Sequence, residues 1–471
     1  MSLAPALEPG RLIDGFLLQE RLHRGGMASL WRVVRDDLPS PALMKVPSIQ
    51  DDPTSIVGFE VEQMIMPLLG GPHVPRFIAA GGFDAQPYIV MELIPGQTLR
   101  PRLEVSPLPV DEIAAIGSAV AEALHDLHQQ GVIHLDIKPS NILFPAHGLA
   151  VLVDFGLARH ERLPDLLAEE FRLPLGTAPY ISPEQVRRIR DDPRSDLFSL
   201  GALLYHLATG QRAFGSPATV SGLRKRLYRP PIPPRTHNPH CPAWLQEVIL
   251  HCLEVDAEQR YGSAAQVAFD LSHPDKVLLT ERSERVGPPR LAQTMRLWLR
   301  SIAAEPTARN VTQQLQRAPI VMAAVDLSQE WEALADALRA AARRALQSEP
   351  NARLACVSVL KTPRIGLDVT TDEAGRSLHV KRLVELQHWS RPLAASASRI
   401  THHVLAAPDP ALAIIDYARA NRVDHIIIGS RGASTLRRYM GSVSTQVVAG
   451  APCTVTVVKV CRDEALGAEA A

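Results

Sequence analysis

The chain has 471 residues, and at roughly 150 residues per domain that length calls for about three folding units rather than one. Fifty Lys and Arg stand against 50 Asp and Glu, so the global positive excess of a general nucleic-acid or polyanion binder is missing. With 46% apolar and 21% charged residues, the composition is that of ordinary globular domains and excludes a disordered chain. Among the cations only seven are lysines, Lys45, Lys138, Lys225, Lys276, Lys361, Lys381 and Lys459, so the place of each carries information. The five cysteines, Cys241, Cys252, Cys356, Cys453 and Cys461, form no C-x-x-C pair and argue against a disulfide framework or a zinc site. Met1 to Glu20 lacks a basic segment followed by an apolar one, and no run of about 18 uncharged apolar residues occurs. The expectation is a cytoplasmic protein without a membrane partner.

From Arg11 to about Glu104 the chain reads as short β-rich runs, such as Trp31 to Val34 and Tyr88 to Met91, divided by Gly and Pro. One helical run, Ile56 to Leu69, interrupts them. From Val110 to about Leu271 the pattern turns helical: Ile113, Ile116, Val120, Leu124 and Leu127 recur on one face. Residues 272–317 read as a linker with an amphipathic stretch, Leu291, Met295, Trp298, Leu299 and Ile302, suited to packing on a neighbouring domain, a dimer contact or a membrane surface. The last zone alternates strand-like runs, Ile320 to Val325, Leu354 to Val359, His425 to Gly429 and Thr454 to Val460, with helical patterns such as Trp331 to Ala345 and Pro410 to Asn421. That alternation predicts an α/β parallel sheet.

Transfer of a γ-phosphoryl group needs a phosphate cover, a cation on the phosphates, oxygen ligands for Mg²⁺ and a carboxylate to orient the incoming hydroxyl. Candidates for all of these occur in order. Gly25-Gly26-Met27-Ala28 lies in a turn before a strand, and Lys45 ends Ala42-Leu43-Met44-Lys45. His134-Leu135-Asp136-Ile137-Lys138-Pro139-Ser140-Asn141 follows a helix, and Asp154-Phe155-Gly156 follows the apolar run Leu149 to Val153. Gly176-Thr177-Ala178-Pro179-Tyr180-Ile181-Ser182-Pro183-Glu184 and Ser195-Asp196-Leu197-Phe198-Ser199-Leu200-Gly201 come after. A lone Asp-Phe-Gly is an ordinary strand-end turn, but the ordered set resembles a bacterial serine/threonine protein kinase of the eukaryotic-like (Hanks) type. Two of the three lysines before residue 276 fall on its motifs, where a compact ammonium is not freely replaced by a guanidinium; Lys225 is the exception.

The resemblance implies an α+β bilobal kinase fold over residues 11–275, with an N-lobe at 11–94 and a C-lobe at 95–275, and ATP and Mg²⁺ as cofactors. Asp136 would orient the substrate hydroxyl, and Lys138 would sit near the transferring phosphoryl. Asn141 and Asp154 would hold Mg²⁺. Gly25 and Gly26 would cover the phosphates, and Lys45 would bind them in a pair with Glu62 or, failing that, Glu60. Two residues apart, those glutamates cannot share a helix face. Met91 would guard the adenine pocket and Glu92 would open the hinge strand. Glu184 and Arg260 would form a structural ion pair, and Asp196 would brace the catalytic loop. The departures are informative. Of the usual three loop glycines only the central one, Gly25, is kept, with His23 and Ala28 at the others. Leu135 replaces the arginine that grips an activation-loop phosphate, and no Ser, Thr or Tyr lies between Gly156 and Gly176. Activity independent of phosphorylation in that loop is the expectation, with protein substrates as partners.

In the last zone Asp326 closes a first strand, Gly429 and Gly432 follow another, and Gly441-Ser442 lie beyond. Glycines between strand and helix let backbone N–H groups approach a phosphate. Residues 318–460 thereby resemble an ATP-binding universal stress protein domain, a Rossmann-like fold, with eight residues between Gly432 and Gly441, one fewer than that pattern generally has. The resemblance implies nucleotide binding and a homodimer; a nucleotide-free docking module is the other reading. Residues 461–471 read as a frayed tail. For the whole chain, an active kinase with an attached nucleotide-binding or stress-sensing domain stands against a pseudokinase scaffold. Against the scaffold stand Lys45, Asp136, Asn141 and Asp154, all present.

Overall fold

The computed structural model describes residues 7–25, 28–48, 53–145, 148–288, 319–327, 332–349, 352–363, 377–393, 400–430 and 442–459, with short pieces at 294–295, 297–299 and 371. Apart from Pro53, these residues fall into two compact units, one of described residues up to 299 and one from 319.

The first unit opens with a six-stranded sheet. In chain order come β1 (Leu12–Ile13), β2 (Phe16–Arg24), β3 (Ala28–Val34), β4 (Ala42–Pro47), helix α1 (Pro53–Ile65), β5 (Phe77–Gly81) and β6 (Tyr88–Glu92). The sheet order is β1-β2-β3-β4-β6-β5, antiparallel throughout. Period-two alternation puts Phe16, Leu18, Trp31, Val33, Ala42, Met44 and Val46 into one core. Because Lys45 lies between Met44 and Val46, it faces the other way, toward α1 and the cleft. The register pairs it with Leu30 on one side and Ile89 on the other.

The helical part follows as β7 (Gln97–Thr98), α2 (Arg100–Glu104), α3 (Val110–Gln129), β8 (Val132–Ile133), β9 (Ile142–Phe144), β10 (Val151–Leu152), β11 (Arg159–His160), α4 (Leu166–Glu170), α5 (Pro183–Val186), α6 (Arg194–Thr209), α7 (Val220–Arg224), α8 (Pro234–His237), α9 (Ala243–Cys252) and α10 (Ala264–Ser272). Helix α3 buries the predicted stripe, Ile113, Ile116, Val120, Leu124 and Leu127. Helix α6 is buried nearly all round, as its run of Leu, Ala and Tyr demands. It ends at Gly210 in the left-handed region, where a Cβ would cost energy. The small antiparallel pairs β9–β10 and β8–β11 pin the loops that run from 134 to 141 and from 153 to 158.

The second unit is a five-stranded, wholly parallel sheet of order β14-β13-β12-β15-β16, made of β12 (Ile320–Ala324), β13 (Arg353–Lys361), β14 (Ile400–Ala407), β15 (His425–Gly429) and β16 (Thr454–Val458). Both faces are covered. The helix Pro410–Asn421 packs through Ile414, Ile415 and Ala418 on one side. The helices Glu332–Ser348 and Leu378–Ser390 pack through Leu338, Ala342, Leu386 and Trp389 on the other. This is the predicted α/β architecture, with β14 as a strand that the sequence reading does not include. Of the amphipathic stretch, Met295, Trp298 and Leu299 are helical, whereas Leu291 and Ile302 lie outside the described residues.

Candidate active site

Lys45 bridges two carboxylates. Its Nζ lies 2.5 Å from Glu62 Oε2 and 2.7 Å from Asp154 Oδ1. Glu62 comes from the buried face of α1, where its side chain is 1% exposed, and its Oε1 also accepts from the Phe155 amide at 3.4 Å. Burial works against the Lys45 ammonium, but Asp154 and Glu62 together outweigh it and hold its pKa above the ordinary lysine value. Lys45 in turn holds the Asp154 carboxyl down at about 2. For Glu62 burial dominates and pushes the pKa up against the pull of Lys45. Helix α1 can come this close because it carries Gly58 opposite Gly156. A Cβ on Gly58 would stand 3.0 Å from the Gly156 carbonyl oxygen.

The catalytic-loop residues converge on Asp136, which is 6% exposed. Its Oδ2 accepts from Lys138 Nζ at 2.5 Å and Asn141 Nδ2 at 3.2 Å. Its Oδ1 accepts from Thr177 Oγ1 at 2.6 Å and the Thr177 amide at 3.1 Å. Leu135, just before it, has φ +60°, a left-handed conformation costing an ordinary side chain about 1–2 kcal/mol. Three bonds over-determine that turn. Asp196, at the start of α6 and fully buried, accepts the His134 and Leu135 amides at 2.9 and 2.8 Å, and Gln185 Nε2 donates to Leu135 O at 2.7 Å. Asp154, at φ +68°, is a second such residue at the site; Asp14, Arg188 and Arg422 are the others among the described residues.

The family model "Protein kinase domain" matches residues 18–271, more than half of the chain. The chain belongs to the protein kinase family. A second model, "Universal stress protein family", matches residues 319–459. The kinase region is 35% identical over 214 residues to a probable serine/threonine-protein kinase of Clostridium perfringens, covering 45% of this chain and 31% of that protein. It is 33% identical over 271 residues to serine/threonine-protein kinase PknB of Mycobacterium tuberculosis, covering 56% of this chain and 43% of the relative. A crystal structure of the Mycobacterium tuberculosis PknI kinase domain is similar at a TM-score of 0.46 and 25% identity, covering 57% of this chain and 99% of that one. The chain thus spans about a third to two fifths of the length of these curated relatives.

Within the kinase domain the remaining expected residues fall as follows. Met91 is buried in β6 beside Leu43, and Glu92, at the strand end, is exposed. Gly25 closes the β2–β3 turn, its amide donating to Ala28 O at 2.9 Å; Gly26 lies outside the described residues. Glu184 and Arg260 form a two-pronged buried pair at 2.9 and 3.0 Å. Three contacts are not foreseen from the sequence. His128 Nε2 lies 2.9 Å from Asp196. Gln185 joins Leu135 to Leu175, whose carbonyl it meets at 3.0 Å. Arg190 reaches back into the activation segment, donating through Nε to Asp165 at 2.8 and 3.1 Å and through Nη2 to Leu157 O at 2.9 Å. Long-range partners of this kind leave no spacing signal; a buried arginine after the Pro183-Glu184 helix is the nearest hint.

In the universal stress protein domain, Asp326 follows β12 and Gly429 ends β15. These strands are neighbours, and the strand order reverses between them, which is where open α/β sheets bind ligands at their carboxyl ends. A Cβ on Gly429 would press on the Leu334 side chain at 3.0 Å, so any larger residue there requires Leu334 to shift. Ser442 begins the helix Ser442–Gly450, whereas Gly432 and Gly441 lie outside the described residues. Among the described residues no helix is long and apolar enough to cross a membrane.

Proposed function

We propose that the kinase domain transfers the γ-phosphoryl group of ATP to Ser or Thr hydroxyls of proteins in the cytoplasm. The observation that carries this reading is the single chain of contacts Glu62–Lys45–Asp154 set beside the Asp136–Lys138–Thr177 cluster. Lys45, fixed by two carboxylates, presents a permanent charge to the α- and β-phosphates. Asp136 Oδ1 and Oδ2 orient the incoming hydroxyl and accept its proton, and Lys138 offsets negative charge on the moving phosphoryl. Asn141 and Asp154 fit a hard cation. Asn141 donates its amide N–H groups inward to Asp136, and its oxygen, which accepts from Ser140 Oγ at 3.2 Å, keeps a second lone pair for the cation. Asp154 commits Oδ1 to Lys45 while its side chain stays 43% exposed. Bound Mg²⁺ would neutralise the β- and γ-phosphate oxygens there. Thr177, bonded to Asp136, supports Ser/Thr over Tyr as acceptor.

We take 11–275 as the kinase domain, 276–317 as the linker and 318–460 as the stress protein domain. Asp326 and Gly429 at the strand-order reversal support nucleotide binding in the latter, and the edge position of β16, unpaired on its outer side among the described residues, supports a homodimer. Transfer of labelled phosphate to casein or to the protein itself tests the central reading. We expect Mg²⁺-dependent transfer that falls at least a hundredfold in Asp136→Ala and Asp154→Ala, at about the 10²–10⁴ that a positioned base contributes. Nucleotide binding without transfer by the unmutated protein would establish the pseudokinase scaffold instead.

A further inference from the structure

Charge is balanced over the chain but not along it. Residues 197–246 contain no Asp or Glu, yet include Arg212, Arg224, Lys225, Arg226, Arg229 and Arg235. The turn after α7 sets Lys225, Arg226 and Arg229 around a pocket of about 490 Å³, whose wall includes Phe214, Thr219 and Ile232 and no carboxylate. Lys225 and Arg229 are exposed. Arg226 is 1% exposed. Its guanidinium stacks 5.2 Å from the Phe214 ring centre and donates to three carbonyls, Leu223 O at 3.2 Å, Ala178 O at 2.7 Å and Ile181 O. Carbonyls satisfy its N–H groups without neutralising its charge. Burial pushes its pKa down to about 10, and no acidic group opposes that push. Buried charges in proteins ordinarily have a charged partner.

The position of this cation matters as much as its isolation. Ala178 and Ile181, held by Arg226, belong to the same short segment as Thr177, whose hydroxyl and amide hold Asp136. The pocket and the acceptor site are therefore two ends of one hydrogen-bonded strap.

We propose that this pocket docks an acidic segment of the protein substrate, with Lys225 and Arg229 receiving carboxylates that flank the accepting Ser or Thr and Arg226 supplying the positive floor. A concave site of this size, tied to the acceptor segment through the bonds of Arg226 to Ala178 and Ile181, suits a few peptide side chains better than the flat contact of a nucleic-acid backbone or a membrane. The assignment rests on the phosphotransfer reading and adds a substrate class to it.

The test uses the full chain, its Lys225→Glu/Arg229→Glu variant, and three serine peptides alike except for Glu, Gln or Lys flanks. Both substituted residues are exposed, and an unchanged melting temperature confirms the variant's fold. Expected is a wild-type preference in kcat/KM of about tenfold for Glu over Gln flanks, carried by KM, weakening from about 50 to about 300 mM NaCl and abolished in the variant. Anisotropy of the labelled Glu peptide is measured alongside. Equal use of Glu and Gln peptides, or a preference that survives in the variant, overturns the proposal while leaving the kinase reading intact. Binding of the Glu peptide by wild type but not by the variant, with no peptide phosphorylated, upholds the pocket and removes the kinase reading. Tighter capture of a single-stranded oligonucleotide or of vesicles containing phosphatidylserine through the same two residues overturns the peptide assignment.

Discussion

Replacing Arg190 with alanine removes the side chain that ties Leu157 and Asp165 to the loop behind α5. The Arg190 side chain is 6% exposed and that of Asp165 16%. Deleting one member of such a pair leaves the other charge buried, at a cost of about 3–5 kcal/mol. Asp165 keeps part of its solvation and still caps α4 through the Ala168 amide, which places the cost near 3 kcal/mol. At 1.4 kcal/mol per factor of ten, that is roughly a hundredfold in the population of the ordered segment. The assay is phosphoryl transfer by protein shown by mass spectrometry to carry no phosphate on Thr177, Tyr180 or Ser182, with limited proteolysis across residues 157–176. Expected are a fall in kcat of about ten- to a hundredfold and new cleavage in that span. Asp165→Asn, which keeps the cap and deletes the charge, should behave alike, and exchanging the two residues should restore part of the loss if charge pairing is the cause. Full activity of Arg190→Ala with no new cleavage would refute the reasoning. So would a wild-type protein that is inert until phosphorylated at one of those three residues.

Gly58→Ala should gain about 1 kcal/mol of helix propensity and lose more by driving a methyl against the Gly156 carbonyl at 3.0 Å. A raised KM for ATP with a lowered melting temperature is expected, and a stabilised, fully active variant would show that α1 can shift freely. Glu184→Gln strands Arg260, whose side chain is fully buried. A loss of about 3 kcal/mol, or roughly 6–12 °C in melting temperature for a domain of this size, is expected, and a change under about 2 °C in calorimetry contradicts it. The Asp154 pKa is lowered from an ordinary 3.8 to about 2. The stability it adds is therefore complete above the ordinary value and lost as pH falls toward about 2. Denaturation midpoints should show a gap between wild type and Asp154→Asn that is constant from about pH 5 to 7 and closes between about pH 4 and 2. A gap still open near pH 2 would place the charge pairing elsewhere.

What the sequence makes legible is chemistry that tolerates one residue type at one spacing. Lys45, Asp136, Asn141 and Asp154 meet that condition, and the structure brings all four to one cleft. Helix phase decides between the two glutamates of α1: Glu62 points to Lys45. Partners chosen by tertiary packing are not legible. His128, Gln185 and Arg190 are ordinary polar letters until α6, α5 and the loop after it are folded over the catalytic segment. Strand β14 is hidden for a different reason. His402 and His403 break its hydrophobic pattern, yet His403 is fully buried and His402 is bonded to Ser390 at 2.7 Å. Burial pushes the His402 pKa down to about 4, so a neutral, half-buried imidazole takes a strand position beside the buried His403, an option that polarity scales do not credit.

Leu135 and Arg190 account for each other. At position 135 the left-handed turn drives the side chain into a site 1% exposed, where an uncompensated guanidinium would cost several kcal/mol. Leucine removes that cost but takes away the cation that would grip the middle of the activation segment from the catalytic loop. Arg190 supplies the missing cation from the far side of α5. It meets a carboxylate encoded in the chain, Asp165, rather than a phosphate added to it. A fixed Asp carries one negative charge where a phosphoryl group carries nearly two, so the contact is weaker per residue, and the bond to Leu157 O and the capping of α4 supply the rest. A segment held this way is ordered as soon as the chain folds. Under the proposed phosphotransfer, such a segment leaves control to act on access of nucleotide or of substrate, and the pocket around Lys225 and Arg229 is where we propose that substrate access responds to charge.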